Sequence, residues 1–431
     1  MKHFLLIVFV FSSICLSAQT LMRKEAIEDI DYFYRTLKSH HPDLYCFTPQ
    51  SVVDSCMEDF KNKCYDSMPV ADFRYHFFHL NYLFDCHTAY IDNQYKATNS
   101  ECLFPRVYFQ DHKVCLSAND WEVLSINSIP VDSIVAHVRK SFSADYHRRY
   151  CEFLICLRYE FQECVADFGF DKPPFTVKCR TLENRDTTVV LERETKESLR
   201  TAQEAFYKDW HQCRFELYPE DKIAIIRYGE VFDKEDIPRF DAQLDDFFRN
   251  CNEYDIRHLF FDVSRNGGGY IRGFTFFFPY LQTGRKKSYQ RLIVEREREY
   301  REILEGEMIR TPKWVKPFKG NVYVYQSFYT QSSAPDFCAC IKVLADAVLV
   351  GTETGSGLPL YGGGEIFHLP NIGDEFTISS HCNKNEFPKL PRTPEGYLLP
   401  DIEYPMLIER LLNVEDCRNI IELKKQKGRN K

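Results

Sequence analysis

The clearest regularity in the chain is a strand-helix-strand alternation of apolar positions from Asn321 to Gly357. Val322-Tyr323-Val324-Tyr325 reads as a strand, and Ala347-Val348-Leu349-Val350 as a second, buried one. Between them Phe337, Ile341 and Leu344 recur at helical spacing on one face. Pro335 suits the first turn of that helix, where its missing N–H costs nothing, and Asp336 suits the positive end of the helix dipole. Ser332 and Ser333 therefore fall at a strand-to-helix corner. A serine there is most often a helix cap. The same corner can also aim a hydroxyl out of a rigid turn, beside amide groups that stabilise negative charge.

The remaining periodicity predicts three regions. After Gln19, Ile27, Ile30, Tyr34 and Leu37 form one helical face, ended at His40-His41-Pro42. A second helix carries Val52, Cys56 and Phe60, and a third Phe73, Phe77, Leu80 and Phe84. That third helix stops at the polar corner Asp85-Cys86-His87-Thr88, before a strand over Ala89-Tyr90-Ile91. From 102 to 201 the pattern is short strands with one helix (Val131, Ile134, Val135, Val138), interrupted by an aromatic and Cys-rich insertion from Tyr146 to Phe170. From 202 onward strand and helix alternate. Lys222 to Ile226 and His258 to Val263 are strands, Phe240, Leu244 and Phe247 mark a helix, and a charged helix covers Val294 to Glu305. This alternation predicts a layered α/β domain.

Length and composition bound the function. At 431 residues the chain is long enough for two or three domains, and 44% hydrophobic with 27% charged residues describes a folded protein. A formal net charge of -8, with no basic stripe, argues against a nucleic-acid partner. Met1 to Gln19 has a basic start, a short apolar core and small residues before a cut expected after Ala18, the form of a secretory signal peptide. That run is too short to span a bilayer, and no other stretch is a candidate span. Seventeen cysteines are scattered without Cys-x-x-Cys or Cys/His zinc spacing, so neither a metal nor an organic cofactor is expected. Their disulfide pairing cannot be read from spacing.

Three further features carry chemistry. Asn266-Gly267-Gly268-Gly269 follows an apolar strand and reads either as a tight turn or as a nest of amides for an anion. It lacks the Gly-Lys-Ser/Thr ending of a phosphate loop and the full dinucleotide spacing. His87 sits at the polar corner, and Glu395 in the loop Arg392-Thr393-Pro394-Glu395-Gly396. No spacing rule joins Ser332, His87 and Glu395; only a fold can bring such groups together.

In order along the chain, several stretches resemble the tail-specific (C-terminal-processing) serine peptidase family, in its tricorn-core-like branch. FDCHTAY resembles that family's Asp-Gly/Ser-His-Thr corner, and FFDVSRNGGG its Asp-Leu-Arg-x-Asn-x-Gly-Gly element. YTQSSAPDF resembles the Thr-x-Ser-Ala-Ala-Glu-x-Phe nucleophile element, VLVGTETGSG the Val-Gly-Glu-x-Thr-x-Gly segment, and LPDIEY the closing Val-x-Pro-Asp strand. The resemblance implies a signal peptide (1–18), an N-terminal helical cap (19–101), a PDZ-like domain with an insertion (102–201) and a crotonase/Clp-like α/β catalytic core (202–431), α+β overall. It implies Ser332 as nucleophile, His87 as general base and Glu395 as the group orienting it. An oxyanion hole would come from the N–H groups of Gly267 or Gly268 and of Ser333. The substrate would be a polypeptide, engaged through its C-terminal segment.

The sequence departs from the family at defined places. Gly355, Ser356 and Gly357 stand where the Ser/Lys branch carries its lysine, so any activity rests on His87. Pro335 replaces the glutamate of the nucleophile element, and Ser264 stands in the arginine position with Arg265 next to it. These departures leave a second expectation, an inactive peptide-binding protein on the same fold. An esterase is a third, and Gln331-Ser332-Ser333 lacks the flanking glycines of that class's Gly-x-Ser-x-Gly elbow.

Overall fold

The computed structural model describes residues 20–91, 104–157, 173–195, 213–229, 237–269, 277–281, 316–358, 360–383, 390–407 and 410–429, with isolated positions between 161 and 197. The expected signal peptide and the charged helix over Val294 to Glu305 lie outside these residues. The class is α/β, as expected, with helices packed on several separate sheets.

The N-terminal region is helical: α1 (Arg23–His40), α2 (Gln50–Lys63) and α3 (Val70–Phe78). Ile30, Phe33, Leu37, Phe60, Phe73 and Phe77 fill its core. Two expectations need correction. The buried face of α2 is Val53, Met57 and Phe60, one position on from the Val52 and Cys56 face, and Val52 stays exposed. The third helix ends at Phe78, and a short turn over Asn81–Leu83 carries Leu83 and Phe84 inward instead. Both follow from packing, which chooses among neighbouring apolar positions that periodicity alone leaves equivalent.

This helical region is not closed by its own sequence. Strand β1 (Ala89–Tyr90) leaves the polar corner at 85–88 and pairs with a strand of the C-terminal half, Phe376 opposite Tyr90. Leu369, Phe376 and Ile378 complete the helical core, with the Phe33 and Phe376 rings 4.9 Å apart. Arg74 adds a two-pronged ion pair to Asp374, both bonds 2.7 Å. These contacts span some three hundred residues of sequence and fix where the His87 corner sits.

The second region is an antiparallel sheet of β2 (Val107–Gln110), β3 (Lys113–Leu116), β4 (Glu122–Ile126), β5 (Phe175–Arg180) and β6 (Asp186–Leu191). Helices α4 (Val131–Val138) and α5 (Arg148–Leu157) pack on it. α5 accounts for part of the insertion that the sequence pattern left unplaced: Tyr150, Cys151, Leu154 and Ile155 are buried in that core.

The third region holds the longest sheet, in the order β7 (Cys213–Tyr218), β8 (Ile223–Tyr228), β9 (His258–Asp262), β10 (Asn321–Gln326), β11 (Val348–Gly351) and β15 (Ile402–Glu403). β7 is antiparallel and the rest run parallel. Their near-continuous apolar sequences fit strands covered on both faces. One face packs α6 (Ile237–Glu253) and α7 (Ser333–Ala345), and the other packs α8 (Val414–Arg429). Between β11 and β15 in sequence come β12 (Leu360–Gly362) and the hairpin β13 (Glu365–His368) and β14 (Glu375–Ile378), the hairpin that closes the helical core.

Candidate active site at the β10–α7 corner

Ser332 ends the loop that leaves β10 and precedes the first residue of α7. Its backbone is held at φ 53 and ψ -120, a conformation that L side chains rarely adopt. Such a sharp strand-to-helix turn lifts the side chain clear of the backbone around it. Ser332 is half-buried, and among the described residues no hydrogen bond occupies its Oγ. It is therefore not the helix cap that a serine in this place usually is.

The surrounding loop makes that backbone obligatory. Thr330 Oγ1 donates to Val263 O at 2.9 Å, Gln331 N donates to Asn266 O at 2.9 Å, and Gly355 N donates to Thr330 O at 2.9 Å. Ser356, itself buried, accepts the Ser332 N–H on its Oγ at 2.8 Å. The corner is thus clamped between the loop after β9 and the loop after β11, the two neighbours of β10 in the sheet.

The glycine loop presses directly on the serine. A Cβ on Gly268, whose φ is +99, would lie 2.5 Å from Ser332 Cβ and 3.0 Å from Ser332 Oγ. Only a residue without a side chain allows this approach. The Gly268 N–H is donated to Asn266 Oδ1 at 2.8 Å, so the loop is braced from within, and Asn266 Nδ2 donates in turn to Tyr228 O at 2.8 Å. Gly267 is exposed, and Ser333 Oγ donates to Gly269 O at 3.1 Å. The structure therefore brings Ser332, Ser333, Gly267 and Gly268 together.

Among the described residues the His87 and Glu395 side chains make no hydrogen bond with this cluster. The His87 ring has Nδ1 3.3 Å from Cys86 Sγ, its backbone N donates to Asp85 Oδ1 at 3.0 Å, and the Tyr361 backbone is a further hydrogen-bonding neighbour. Burial lowers its pKa, against the opposing pull of Asp85 and Tyr361, and keeps the imidazole in its neutral, basic form at neutral pH. Among the described residues it makes no hydrogen bond with Ser332 or with Glu395. Glu395 is exposed, and its carboxyl is held low by its own backbone N–H, by Thr393 and by the charge of His147. Its histidine neighbour is thus His147, which donates its backbone N–H to Gly355 O at 3.0 Å and lies 3.4 Å from Glu353 Oε1.

Other groups at the His87 corner carry no signal in the sequence. Asp85 accepts from His41 Nε2 at 2.8 Å and from Ser379 Oγ at 2.6 Å, and both side chains of the His41–Asp85 pair are 1% exposed. Burial alone would raise the Asp85 pKa; hydrogen bonds from His41 and Ser379 and the His41 charge together reverse it, leaving the carboxyl below its ordinary value. Asp145 lies against Cys86, with Oδ1 buried and without a partner among the described residues. Among these residues, too, no group of three His, Cys, Asp or Glu side chains is placed to hold a metal.

Residues 222–379 match the family model described as Peptidase family S41. This segment is an S41 peptidase domain. It spans the glycine loop, Ser332 and Ser356, and leaves His87 and Glu395 outside. The fold likeness extends much further. Mature CPAF, at 12% identity, matches with a TM-score of 0.56 over 94% of this chain and 97% of that chain. Mature CPAF complexed with lactacystin, also 12% identical, gives 0.53 over 94% and 98%. A mutant form of CPAF, again 12% identical, gives 0.53 over 92% and 94%. At that identity the likeness is one of fold. No curated protein matches the chain in sequence. The expected relationship to the tail-specific peptidases is thus supported over residues 222–379. No described helix is long and apolar enough to cross a membrane.

Proposed function

We propose that the chain is an exported serine endopeptidase in which Ser332 is the nucleophile and His87 the general base. One observation carries the reading: a serine held at φ 53, its Oγ without a hydrogen bond among the described residues, wedged against a glycine loop inside the segment that matches the S41 family model. A serine hydroxyl becomes an effective nucleophile only when a base takes its proton. In the proposed cycle Ser332 Oγ attacks the peptide carbonyl, and its proton passes to the neutral His87 ring. That proton then goes to the leaving amine as the C–N bond breaks. Water, deprotonated by the same ring, releases the acyl group. The developing oxyanion is met by the N–H groups of Gly267 and Ser333, with Gly268 allowing the close approach and Glu395 acting on the histidine side. Losing one such donor typically costs about 10²–10³ in rate.

The signal-like segment Met1 to Gln19 supports export, and the antiparallel sheet at 107–191 is the candidate PDZ-like module for a substrate's C-terminal segment, captured by strand addition or at its carboxylate. The test is hydrolysis of an unfolded protein by the purified chain, with Ser332→Ala and His87→Ala each losing it while the fold stays intact. Alanine variants that cleave as fast as wild type would remove the assignment. Peptide binding without cleavage by wild type would favour the inactive peptide-binding form.

A further inference from the structure

The loop that carries Ser332 does not pack on its own sheet alone. Tyr329, in that loop, is buried in the core of the second region, the antiparallel sheet and its helices. Its ring meets two side chains of α5 edge to face: Tyr150 at 5.1 Å and 72°, and Phe153 at 5.7 Å and 84°. Phe328 meets Phe153 in the same way at 6.1 Å. The main chain that bears the ring is fixed, since Tyr329 N donates to Ser327 Oγ at 2.9 Å and Ser327 Oγ donates to Ser264 O. The start of α5 also holds the other loop of the Ser332 clamp. His147 N donates to Gly355 O at 3.0 Å, and Glu353 Oε1 lies 3.4 Å from His147 Nε2 and 3.6 Å from Arg149 Nη1.

The Tyr329 ring also reaches the glycine loop. A Cβ on Gly267 would meet Tyr329 Cε1 at 3.9 Å, and nothing else within 4 Å among the described residues. Asn266 braces Gly268, and the Ser333 hydroxyl braces Gly269, both through hydrogen bonds. Among the described residues Gly267 has no such brace, and it has no side chain of its own to pack, so its place is set by the surface it leans on. We propose that Tyr329 is a positioning residue of the reaction: its ring, seated on Tyr150 and Phe153 of α5, carries Gly267 where its N–H can meet the oxyanion. The proposal rests on the peptidase reading, with Gly267 as an oxyanion donor. Such a donor works only within about 2.7–3.1 Å of the developing charge. A support that gives by a fraction of an ångström therefore weakens the transition state and leaves substrate binding alone. Edge-to-face rings resist sliding, because the positive edge of one is held on the negative face of the other. Truncating the ring leaves a void between α5 and the loop, into which the glycine backbone can sag. The glycine loop is then placed by a helix of the second region as well as by the main sheet.

The test compares the full-length chain as wild type, Tyr329→Phe, Tyr329→Ala and Phe153→Ala, and reads the loop and the rate separately. Amide hydrogen exchange over 266–269 reads the loop. Steady-state kinetics on an unfolded protein read the rate. In Tyr329→Ala and Phe153→Ala, exchange about tenfold faster is expected, with kcat about tenfold lower and KM unchanged. Tyr329→Phe, which keeps the ring, is expected to match wild type in both. Phe153 is half-buried and lies outside the Ser332 loop, so its alanine form keeps the comparison valid if Tyr329→Ala misfolds. Exchange that stays at the wild-type rate in both alanine forms would overturn the proposal. So would faster exchange with kcat unchanged, or a Tyr329→Phe form with the kcat of Tyr329→Ala. A wild type that cleaves nothing would sink the peptidase reading instead, and the exchange pattern would then decide by itself whether the ring carries the loop.

Discussion

The Ser332 corner and the His87 corner are built from different materials. Around Ser332 the restraints are mostly main-chain: amides of Gln331 and Gly355 on neighbouring carbonyls, one serine hydroxyl on the Ser332 N–H, and a glycine with no room for a Cβ. Around His87 they are side chains drawn from remote segments: His41 and Ser379 on Asp85, and Asp145 against Cys86. A main-chain clamp fixes geometry within a few tenths of an ångström and depends little on pH. A buried polar network holds a histidine only while each charge in it is compensated.

That difference can be broken on its larger side first. Asp85→Asn removes the only carboxylate hydrogen-bonded to His41 among the described residues, inside a site 1% exposed. Breaking a buried pair by removing one partner costs about 3–5 kcal/mol, so a clear fall in the denaturant midpoint is expected. The same pair sets a pH dependence. Asp85 has a depressed folded pKa, so its contribution is present above the unfolded value and is lost as pH falls through the folded one. Wild type is therefore expected to lose stability on acidification in a step that Asp85→Asn lacks, measured by urea unfolding between about pH 2 and pH 5. An unchanged midpoint at neutral pH would show that the His87 corner is not held by this pair.

Gly268→Ala attacks the other corner. The new Cβ would fall 2.5 Å from Ser332 Cβ at a residue whose φ is +99. Overpacking of this kind costs about 1–3 kcal/mol, and the shift it forces on Ser332 is expected to remove most peptidase activity. Stability falling without loss of activity would mean that the loop can move away from the serine at no functional cost. Ser356→Ala is the smallest change. It strips the acceptor from the Ser332 N–H, and a weakening of about 1 kcal/mol in stability, with a modest fall in kcat and little change in KM, is expected. Steady-state kinetics on an unfolded protein distinguishes that from a simple loss of fold.

The two corners were also unequally legible from sequence, for the same reason. The β10, α7 and β11 elements announce themselves by periodicity, and Ser332 and the Asn266–Gly269 loop lie at their ends, so local pattern and the family resemblance both point to them. Ser356 was visible only as a position where a lysine was missing. Its hydrogen bond to the Ser332 N–H depends on how β11 lies beside β10. Nothing local links His41 to Asp85 across forty-four residues, or Asp145 to Cys86, or the β14 strand to Tyr90. The last of these exists because the helical region borrows a hairpin from the C-terminal half to close its core. The one-residue shift of the buried face of α2 has the same origin: Met57 and Val53 win over Cys56 and Val52 because the partner surface is fixed by other elements.

The most direct test of Ser332 activated by His87 is stoichiometric labelling with a serine-reactive phosphonate, followed by intact mass. One adduct on wild type, located at Ser332, none on Ser332→Ala and a much slower reaction on His87→Ala is the predicted result. Equal labelling of wild type and Ser332→Ala, or a rate unaffected by His87→Ala, would contradict it.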